Sequence, residues 1–316
     1  MNPNLVCLPP INRHQIIRNE HGGASLKSAF EKSEALEEIS WAQRVLKVHK
    51  IWWQTEGEGI KVAVLDTGID PSHPDLKSAI VDMKDFTGSG IKDTNGHGTH
   101  CAGIIAARRN MLGFIGVAPK AELLIAKVLD NEGNGSHQWI ADGINWAVEN
   151  GADIISMSLG TTLSAQVLFE SIHNALAKGI HVICAAGNEG SLQSNNIAYP
   201  GRYGGVITVG SHDFDGMASG FSSRGGEVDF VAPGSNIWSS YTDGGYAELS
   251  GTSMATPFVA GVAALILAKH KKYKNKTEIH NCEDLKNHLL RMAAHPGYHD
   301  NRSGYGPLMP FRYFGT

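Results

Sequence analysis

The chain has 316 residues, of which 42 % are hydrophobic and 18 % are charged, and its formal net charge is −4. This composition excludes a disordered or collagen-like chain and indicates a soluble globular protein that can bury a large core. Because the acidity is mild and no block of lysine or arginine occurs, nucleic acid and anionic membranes are not expected as partners.

The first residues show no visible secretory signal, because residues 1–15 lack a charged start, an uninterrupted apolar stretch and a small-residue cleavage site. The four cysteines, at positions 7, 101, 184 and 282, show no zinc spacing or disulfide ladder, so reduced thiols are expected. The apolar run from Val262 to Ala268 is too short to span a bilayer. We therefore expect a cytoplasmic protein without a membrane partner.

Three segments are predicted along the chain. Residues 1–38 form a polar leader with Pro9-Pro10 as a breaker and a helical stretch over Leu26 to Ile39. Residues 39–306 form the main domain, and residues 307–316 form a tail that is either docked or free to bind a partner.

From Ile60 onwards, short β-branched apolar runs alternate with amphipathic stretches. Such runs are typical of strands that are covered on both faces. In one amphipathic stretch, Ser164 to Lys178, apolar residues recur every four positions, with Ser164 as the predicted N-cap and Gly179 as a left-handed stop. The alternation predicts an α/β fold, an open, mostly parallel sheet in three layers with helices on both faces. The predicted strands are 60–66, 122–128, 153–159, 180–186 and 205–210.

The chemistry is expected at the carboxyl ends of the strands, where the following loops and helix starts converge in a parallel sheet. Asp66 ends the first predicted strand, Ser158 to Gly160 end the third, and Gly187 to Gly190 follow the fourth. A carboxylate, an amide and a glycine-flanked edge are therefore expected to meet there.

Two predicted helix starts add a histidine and a serine. His97 precedes a predicted helix over Cys101 to Ala107, and Ser253 precedes a helix that continues through Leu267. Since proline fits best in a first helical turn, Pro257 places Ser253 at a helix N-terminus. The positive end of a helix favours negative charge that develops beside it.

An ordered series of stretches over roughly residues 40–306 resembles the subtilisin-like serine peptidases, or subtilases. Any one stretch alone is a weak signal, whereas the whole series in this order is highly specific. The order Asp, His, Ser is also the one known for subtilisin. The matching stretches are VAVLDTGIDPSHPDL, NGHGTHCAG, IGVAPKAEL, MSLG, CAAGNEG, AYPGRY, VAPG and SGTSMATPFVAG.

The resemblance implies a serine endopeptidase that hydrolyses polypeptides through an acyl-enzyme. Ser253 is the expected nucleophile and His97 its general base, while Asp66 orients the imidazole and stabilises its cation. The base is needed because a hydroxyl alone is a weak nucleophile at neutral pH. Asn188 and the backbone N–H of Ser253 are the expected donors to the oxyanion.

Each of these residues also has a simpler explanation. An aspartate after a strand is usually a turn or cap residue, and a serine before a helix is usually an N-cap. His100 lies three residues after His97, but without an H-E-x-x-H motif or a third ligand it is expected to be structural rather than metal-binding.

Two other functions compete with the peptidase. A pseudopeptidase that only binds peptides would usually lack a member of the triad, and none is missing. A serine esterase of another α/β fold would need G-x-S-x-G, but Ala255 occupies the last position and the order of the triad is different.

The resemblance places an extended substrate between two edges, where main-chain pairing tolerates many sequences. A pocket walled by Ala185, Gly187 and Asn188, with Ala198 near its floor, predicts cleavage after apolar or bulky residues. Without the resemblance, the glycine loop at 133–135 is equally an ordinary turn. The expected substrate-binding residues are Gly133, Asn134, Gly135, Ser158, Leu159, Gly160, Ala185, Gly187 and Ala198.

The resemblance also implies a structural Ca²⁺ ion, which prefers carboxylate and carbonyl oxygens. Asp75 and the loop before GVAP correspond to such a site, although Arg108 and Met111 are unusual in that loop. A surface loop capped by an aspartate is the simpler alternative. The expected ligands are Asp75, Arg108, Asn110, Leu112 and Phe114.

Three features depart from the family pattern. Phe258 stands where many members have histidine, and Cys101 marks a thiol-containing subgroup. The leader resembles the short extension of intracellular subtilisins, which lies over the active site until it is removed. Leu5 to Pro10 loosely match its apolar-proline motif, and proline there would resist cleavage. We therefore expect an inhibitory leader, while the oligomeric state stays open.

Overall fold

The computed structural model describes residues 5–8, 12–17, 39–111, 113–190, 195–273 and 279–314. This part of the chain contains twelve strands. They are β1 (Leu5–Cys7), β2 (Asn12–Ile17), β3 (Lys61–Asp66), β4 (Ile80–Asp85), β5 (Glu122–Lys127), β6 (Asn134–Ser136), β7 (Ile154–Met157), β8 (His181–Ala185), β9 (Ile207–His212), β10 (Phe230–Pro233), β11 (Ile237–Ser240) and β12 (Tyr246–Ser250).

The same ranges contain seven α-helices and two short 3₁₀ turns, Val48–Lys50 and Thr242–Gly244. The α-helices are α1 (Trp41–Leu46), α2 (His97–Ala106), α3 (His137–Glu149), α4 (Gln166–Ala177), α5 (Thr252–Tyr273), α6 (Cys282–Met292) and α7 (Pro310–Phe314). The predicted helix over Leu26 to Ile39 lies outside the described residues, apart from Ile39 itself.

Seven strands form a central parallel sheet in the order β10-β9-β8-β7-β3-β5-β4. This arrangement confirms the predicted α/β class. From β3 the chain goes to the edge strand β4, returns to β5 beside β3, and then crosses β3 to β7, from which it continues to the opposite edge. The direction in which strands are added therefore reverses at β3. In open parallel sheets, ligands bind beyond the carboxyl ends of the strands at such a reversal, and Asp66 ends β3 at this point.

Helices cover both faces of this sheet, as predicted. Along β3, Val62 and Val64 belong to the core that contains α2 and α5, whereas Ala63 and Leu65 belong to the core that contains α3 and α4. Successive side chains of a strand point to opposite faces, so both faces of β3 are apolar because both are covered. The result is a three-layer fold.

All five predicted strands occur, shifted by one or two residues at their ends. The sequence prediction missed β4, the edge strand of the central sheet, because most of its side chains are exposed and it carries three charges. Edge strands often carry such charges, which discourage pairing with other chains. It also missed β10, which forms the other edge of this sheet with only four residues, and the short strands outside the parallel sheet, none of which has a long apolar run.

The helix predicted from Ser164 begins two residues later than expected. Its N-cap is Ala165, while the hydroxyl of Ser164 forms a hydrogen bond with the hydroxyl of Tyr203 at 3.0 Å. The predicted N-cap at Ser164 was therefore wrong, because a tertiary partner competes for its side chain. At the other end, Gly179 adopts the predicted left-handed conformation, with φ of 78°.

Helix α2 begins four residues before the predicted start and includes His97 in its first turn. Gly96 precedes it with φ of 96°, and a side chain there would collide with the ring of Tyr241. Because Gly96 has no capping side chain, the N–H groups of Gly96 and Thr99 are capped by the carboxylate of Asp93. The capping residue, Asp93, lies four residues before the helix begins, so the sequence pattern did not indicate the true start.

Helix α5 begins at Thr252 and ends at Tyr273, beyond the predicted end at Leu267. Pro257 is its sixth residue and lies in the second turn, so its predicted place in the first turn was wrong, while Ser253 does lie in the first turn. The helix is long and apolar enough to cross a membrane, but 94 % of its apolar window is buried in the fold.

The segments at both ends of the chain pair with this domain. Strand β1 pairs with β6, and β2 joins β11 and β12 in a three-stranded sheet of order β11-β12-β2. Beyond residue 306, Leu308 and Phe314 belong to the main hydrophobic core. Among the described residues, the segment after 306 is therefore docked on the domain.

Candidate active site

Asp66 and His97 form a short buried hydrogen bond at the carboxyl end of β3. The Nδ1–H of His97 donates to Oδ1 of Asp66 at 2.6 Å, and both side chains are 1 % exposed. Oδ1 also accepts from the backbone N–H of Thr67 at 2.7 Å. This arrangement fixes the tautomer of the ring and leaves Nε2 as the atom that can accept a proton.

The electrostatics of the pair favour a protonated imidazole. Burial lowers the pKa of His97, but the carboxylate of Asp66 and the sulfur of Cys101 together outweigh burial and raise this pKa well above its usual 6.5. His100 behaves differently, because burial lowers its pKa to about 3. Its Nε2–H donates to the carbonyls of Ile237 and Ala247, on the side of β11 and β12, which suits a structural role.

Ser253 is connected to the Asp66–His97 pair through Cys101. Because Pro257 has no N–H, it cannot donate to the Ser253 carbonyl four residues before it. That carbonyl instead accepts from the hydroxyl of Ser158 at 2.8 Å and from the thiol of Cys101 at 3.4 Å. The sulfur of Cys101 also lies 4.0 Å from Nδ1 of His97, so Cys101 contacts both residues.

The hydroxyl of Ser253 does not bond to His97 in this structure. It donates to the carbonyl of Ser158 at 3.3 Å, and Nε2 of His97 is buried without a hydrogen-bond partner among the described residues. Rotation about χ1 of Ser253 would release the hydroxyl from the Ser158 carbonyl. Catalytic hydrogen bonds are often long or misaligned before a substrate binds.

Asn188 lies beside the start of α5. Its Oδ1 accepts from the backbone N–H and the hydroxyl of Thr252, at 2.9 and 2.8 Å. These two bonds fix the amide plane and direct Nδ2 away from Thr252, next to Gly251. A Cβ atom at Gly251 would lie 3.1 Å from Nδ2, so the glycine leaves space beside this donor.

The two predicted substrate edges are brought together, with a strand of the leader between them. In the β1–β6 pairing, Val6 is opposite Gly135 and Cys7 is opposite Asn134. On the other side, Cys7 exchanges two backbone hydrogen bonds with Gly160, both at 3.3 Å. The N–H of Leu8 donates to the carbonyl of Gly133 at 3.0 Å.

The predicted pocket residues also converge. A Cβ atom at Gly160 would lie 2.9 Å from Cβ of Ala198, and one at Gly187 would lie 3.4 Å from the same atom. Ala185 ends β8 and is buried, as is Leu159. Both glycines therefore keep open the space in front of Ala198.

At the predicted calcium site, Asp75 is fully buried. Its carboxylate accepts from Nδ2 of Asn110 at 2.9 Å, the N–H of Phe114 at 3.3 Å and the hydroxyl of Tyr246 at 2.9 Å. Burial and the carboxylate of Asp75 raise the pKa of Tyr246, so this hydroxyl stays a neutral donor.

The unusual arginine of this loop does not neutralise Asp75. The guanidinium of Arg108 donates to the carbonyls of Pro119 and Ala121, each at 2.7 Å, and of Ser78 at 3.2 Å. Leu112 lies outside the described residues. No ion pair among the described residues includes Asp75.

Sequence reasoning assigned no role to Thr252 or to the hydroxyl of Ser158, although both contact the site. The Oγ1 of Thr252 links Asn188 to the backbone N–H of Gly187, at 2.8 and 3.2 Å. Thr252 could have been found from the sequence, because it is the first helical residue after Gly251. The Ser158 contact could not, because it depends on the missing N–H of Pro257.

Comparison with known proteins agrees with this geometry. Residues 57–306 match the profile of the subtilase family. The chain is 49 % identical over 245 residues to the "Intracellular serine protease" of Paenibacillus polymyxa, covering 75 % of each chain. It is 49 % identical over 233 residues to the "Major intracellular serine protease" of Bacillus subtilis (strain 168), covering 71 % of this chain and 73 % of that one. Identity to "Subtilisin E" of the same strain is 46 % over 223 residues, covering 69 % of this chain and 58 % of subtilisin E.

The parallel sheet with helices on both faces, together with these matches to serine proteases, defines a serine hydrolase of the α/β class. The chain belongs to the subtilase family and is a subtilisin-like serine endopeptidase.

The raised pKa of His97 leads to a pH prediction. In a Ser253→Ala chain, we expect the ring of His97 to titrate above pH 6.5, because the carboxylate of Asp66 stabilises the imidazolium. Adding Asp66→Asn removes that charge and leaves burial dominant, so the midpoint should fall below 6.5. Nuclear magnetic resonance titration measures both midpoints, with His100 as an internal control that stays neutral. An unchanged midpoint after Asp66→Asn would contradict the assignment.

Proposed function

We propose that Ser253, His97 and Asp66 form the catalytic triad of a peptidase that works through an acyl-enzyme. Ser253 Oγ attacks the scissile carbonyl while its proton moves to Nε2 of His97, and Asp66 stabilises the resulting imidazolium. His97 then gives this proton to the leaving amine. A water molecule then attacks the acyl-enzyme while His97 accepts its proton. His97 returns the proton to Ser253 Oγ, and the carboxylic acid product leaves. The 2.6 Å buried bond between His97 and Asp66 is the observation that carries the proposal.

The oxyanion that forms on the carbonyl would accept from the side chain of Asn188 and the backbone N–H of Ser253. Thr252 holds the amide of Asn188 in place before any charge develops. Ser253 lies in the first turn of a 22-residue helix, where the helix dipole also favours negative charge. Donors that are fixed in advance need no reorganisation during the reaction.

We infer that the leader inhibits the enzyme by lying in the substrate cleft. Strand β1 pairs with both predicted edges through its main chain, and its Val6 is fully buried in the apolar cluster that contains Leu129 and Leu159. Ser253 is fully buried and His97 is 2 % exposed. In the sequence, Pro9-Pro10 follow directly after Leu8, and proline would resist cleavage there.

A second strand supports the same role. Strand β2 pairs antiparallel with β12, from Ile17 opposite Tyr246 to Asn12 opposite Ser250. Ser250 is only three residues before Ser253. The two leader strands therefore pair with two separate segments of the domain, one at the predicted substrate edges and one that ends three residues before Ser253.

We infer a cytoplasmic location, because two relatives are named intracellular serine proteases. Polypeptides are the substrates that this function requires. The sequence patterns give no basis for a nucleic-acid or membrane partner.

We also propose a structural calcium ion at Asp75. Its carboxylate is buried and lacks an ion-pair partner among the described residues, and hard oxygen donors suit calcium. The side-chain oxygen of Asn110 and the carbonyls of Arg108, Leu112 and Phe114 would complete the ligands. Bound calcium would supply positive charge beside Asp75 and hold the loop, and Asn110 would have to present Oδ1 instead of Nδ2.

Replacement of the nucleophile is the direct test of the proposed mechanism. We expect Ser253→Ala to lower the rate of peptide hydrolysis by roughly 10⁴-fold or more while the fold persists, because the proposed nucleophile is lost. A fluorogenic peptide assay and circular dichroism measure the two effects. Ser171→Ala, a buried serine in α4 whose hydroxyl bonds only to Leu168, should keep full activity. Unchanged turnover in Ser253→Ala would refute the triad.

Removal of the leader tests inhibition. We expect deletion of residues 1–38 to raise kcat/KM for a peptide substrate at least tenfold, because the cleft is then open. A synthetic peptide of residues 1–20 should inhibit the shortened enzyme. Burial of a valine contributes about 1.5–3 kcal/mol, so the same peptide with Val6→Asp should bind at least tenfold more weakly. No gain on deletion, or equal inhibition by both peptides, would contradict an inhibitory leader.

Chelation tests the calcium site. We expect EGTA to lower Tm by several degrees, since a ligand at 100 times its Kd stabilises a fold by about 2.7 kcal/mol. Asp75→Asn should remove this response, whereas Asp142→Asn, a half-buried aspartate of α3 that accepts from Gln138, should retain it. Differential scanning calorimetry measures Tm, and calorimetric titration measures calcium binding directly. Equal Tm values in calcium and EGTA would contradict the site.

A further inference from the structure

Asp93 is a fully buried carboxylate that accepts five hydrogen bonds. Its Oδ1 accepts from the N–H groups of Asn95 and Gly96, at 3.0 and 2.8 Å, and from the hydroxyl of Thr67 at 3.0 Å. Its Oδ2 accepts from the N–H and the hydroxyl of Thr99, at 2.9 and 2.7 Å. Both carboxylate oxygens therefore act as acceptors, three times at Oδ1 and twice at Oδ2.

These bonds join two segments that are distant in sequence. Thr67 directly follows Asp66, while Gly96 directly precedes His97 and Thr99 lies in the same helical turn. A second bond crosses the same gap, because the N–H of Gly98 donates to Oγ1 of Thr67 at 2.9 Å. The residues that form these cross-links, Thr67, Gly96 and Gly98, are therefore the direct neighbours in sequence of Asp66 and His97.

The two backbones are also in direct contact. A Cβ atom at Gly98 would collide with the carbonyl oxygen of Gly68, so the first turn of α2 lies closer to the loop after β3 than any side chain at position 98 would allow. Asp93 and Gly98 prevent it from moving away. The separation between Asp66 and His97 is therefore limited.

Lys127 holds the other side of Thr67. Its side chain is fully buried, and its ammonium donates to the carbonyl of Thr67 at 2.6 Å and to Oδ1 of Asn131 at 3.0 Å. Burial lowers the pKa of Lys127, and the carboxylate of Asp93 is the largest of the charges that oppose this shift. Thr67 is thus held at two points, because its hydroxyl donates to Asp93 and its carbonyl accepts from Lys127.

We propose that Asp93 is a positioning residue for the reaction: it sets the geometry of the His97–Asp66 hydrogen bond by joining Thr67 to the first turn of α2. The proposal rests on the proposed triad. A helix cap that served stability alone would need only the bonds to Gly96 and Thr99. The additional bond to Thr67 connects the cap to the segment that carries the catalytic carboxylate.

The test is Asp93→Asn, which keeps the size of the side chain but replaces an acceptor oxygen with an NH₂ group that faces donors. We expect kcat to fall roughly 10²-fold, as for a displacement of about 1 Å in a catalytic group, with KM within about twofold of the original value. We also expect the far-downfield proton resonance of the His97–Asp66 hydrogen bond to shift or disappear. All chains are first processed by immobilised unmodified enzyme, and mass spectrometry confirms identical N-termini before kcat is measured.

Asp300→Asn is the matched control. The carboxylate of Asp300 likewise accepts from two backbone N–H groups and a hydroxyl, but in the loop at Arg302 and Ser303. It should lower stability without changing kcat or the downfield resonance. A similar loss of kcat in both variants would show a general effect of destabilisation and overturn the proposal.

Thr67 provides a second route to the same answer. Thr67→Val should lose at least as much kcat as Asp93→Asn, because it removes both the bond to Asp93 and the acceptor of the Gly98 N–H, while Thr67→Ser should recover most of it. The double variant Asp93→Asn/Thr67→Val should lose little more than Thr67→Val alone, because the Asp93–Thr67 bond is already broken there. Full kcat in Asp93→Asn, or fully additive losses, would overturn the positioning role. If Ser253→Ala is inactive while Asp93→Asn is fully active, the triad stands and only this inference fails.

Discussion

The short hydrogen bond between His97 and Asp66 exists because the first turn of α2 is pressed against the loop that follows β3. Two residues that are 31 positions apart meet at 2.6 Å only when helix and strand are fixed relative to each other. The absence of a side chain at Gly98 allows this close approach. The geometry of the catalytic groups therefore depends on backbone packing as much as on the groups themselves.

The site combines burial with charge, and the two act in opposite directions. Burial disfavours charged forms, yet Asp66, Asp93 and Lys127 all lie out of contact with water. Hydrogen bonds and opposite charges compensate, and the outcome differs for each group. Asp66 raises the pKa of His97, whereas His100 has no such neighbour, and its pKa falls to about 3.

Main-chain pairing explains how one cleft can hold both its own leader and a substrate. Strand β1 forms backbone hydrogen bonds with both edges of the cleft, which place few demands on sequence. The buried side chain of Val6 adds an apolar anchor. Under the proposed function, a leader held in this way would compete with every polypeptide for the same edges, and proline after Leu8 offers a reason why it would not be cut there.

The sequence by itself determined the parallel sheet and the helices that cover it, and it predicted Asp66, His97, Asn188 and Ser253 as site residues, because apolar periodicity and residues at strand ends are local signals. Only the tertiary structure decided where α2 begins, why Pro257 is tolerated in the second turn of α5 and which strands the leader pairs with. In each case the deciding partner is distant in sequence: Asp93 and Tyr241 define the start of α2, Ser158 and Cys101 bind the carbonyl that Pro257 leaves without a donor, and β12 pairs with β2. Local sequence patterns cannot indicate such partners, since tertiary packing alone brings them together.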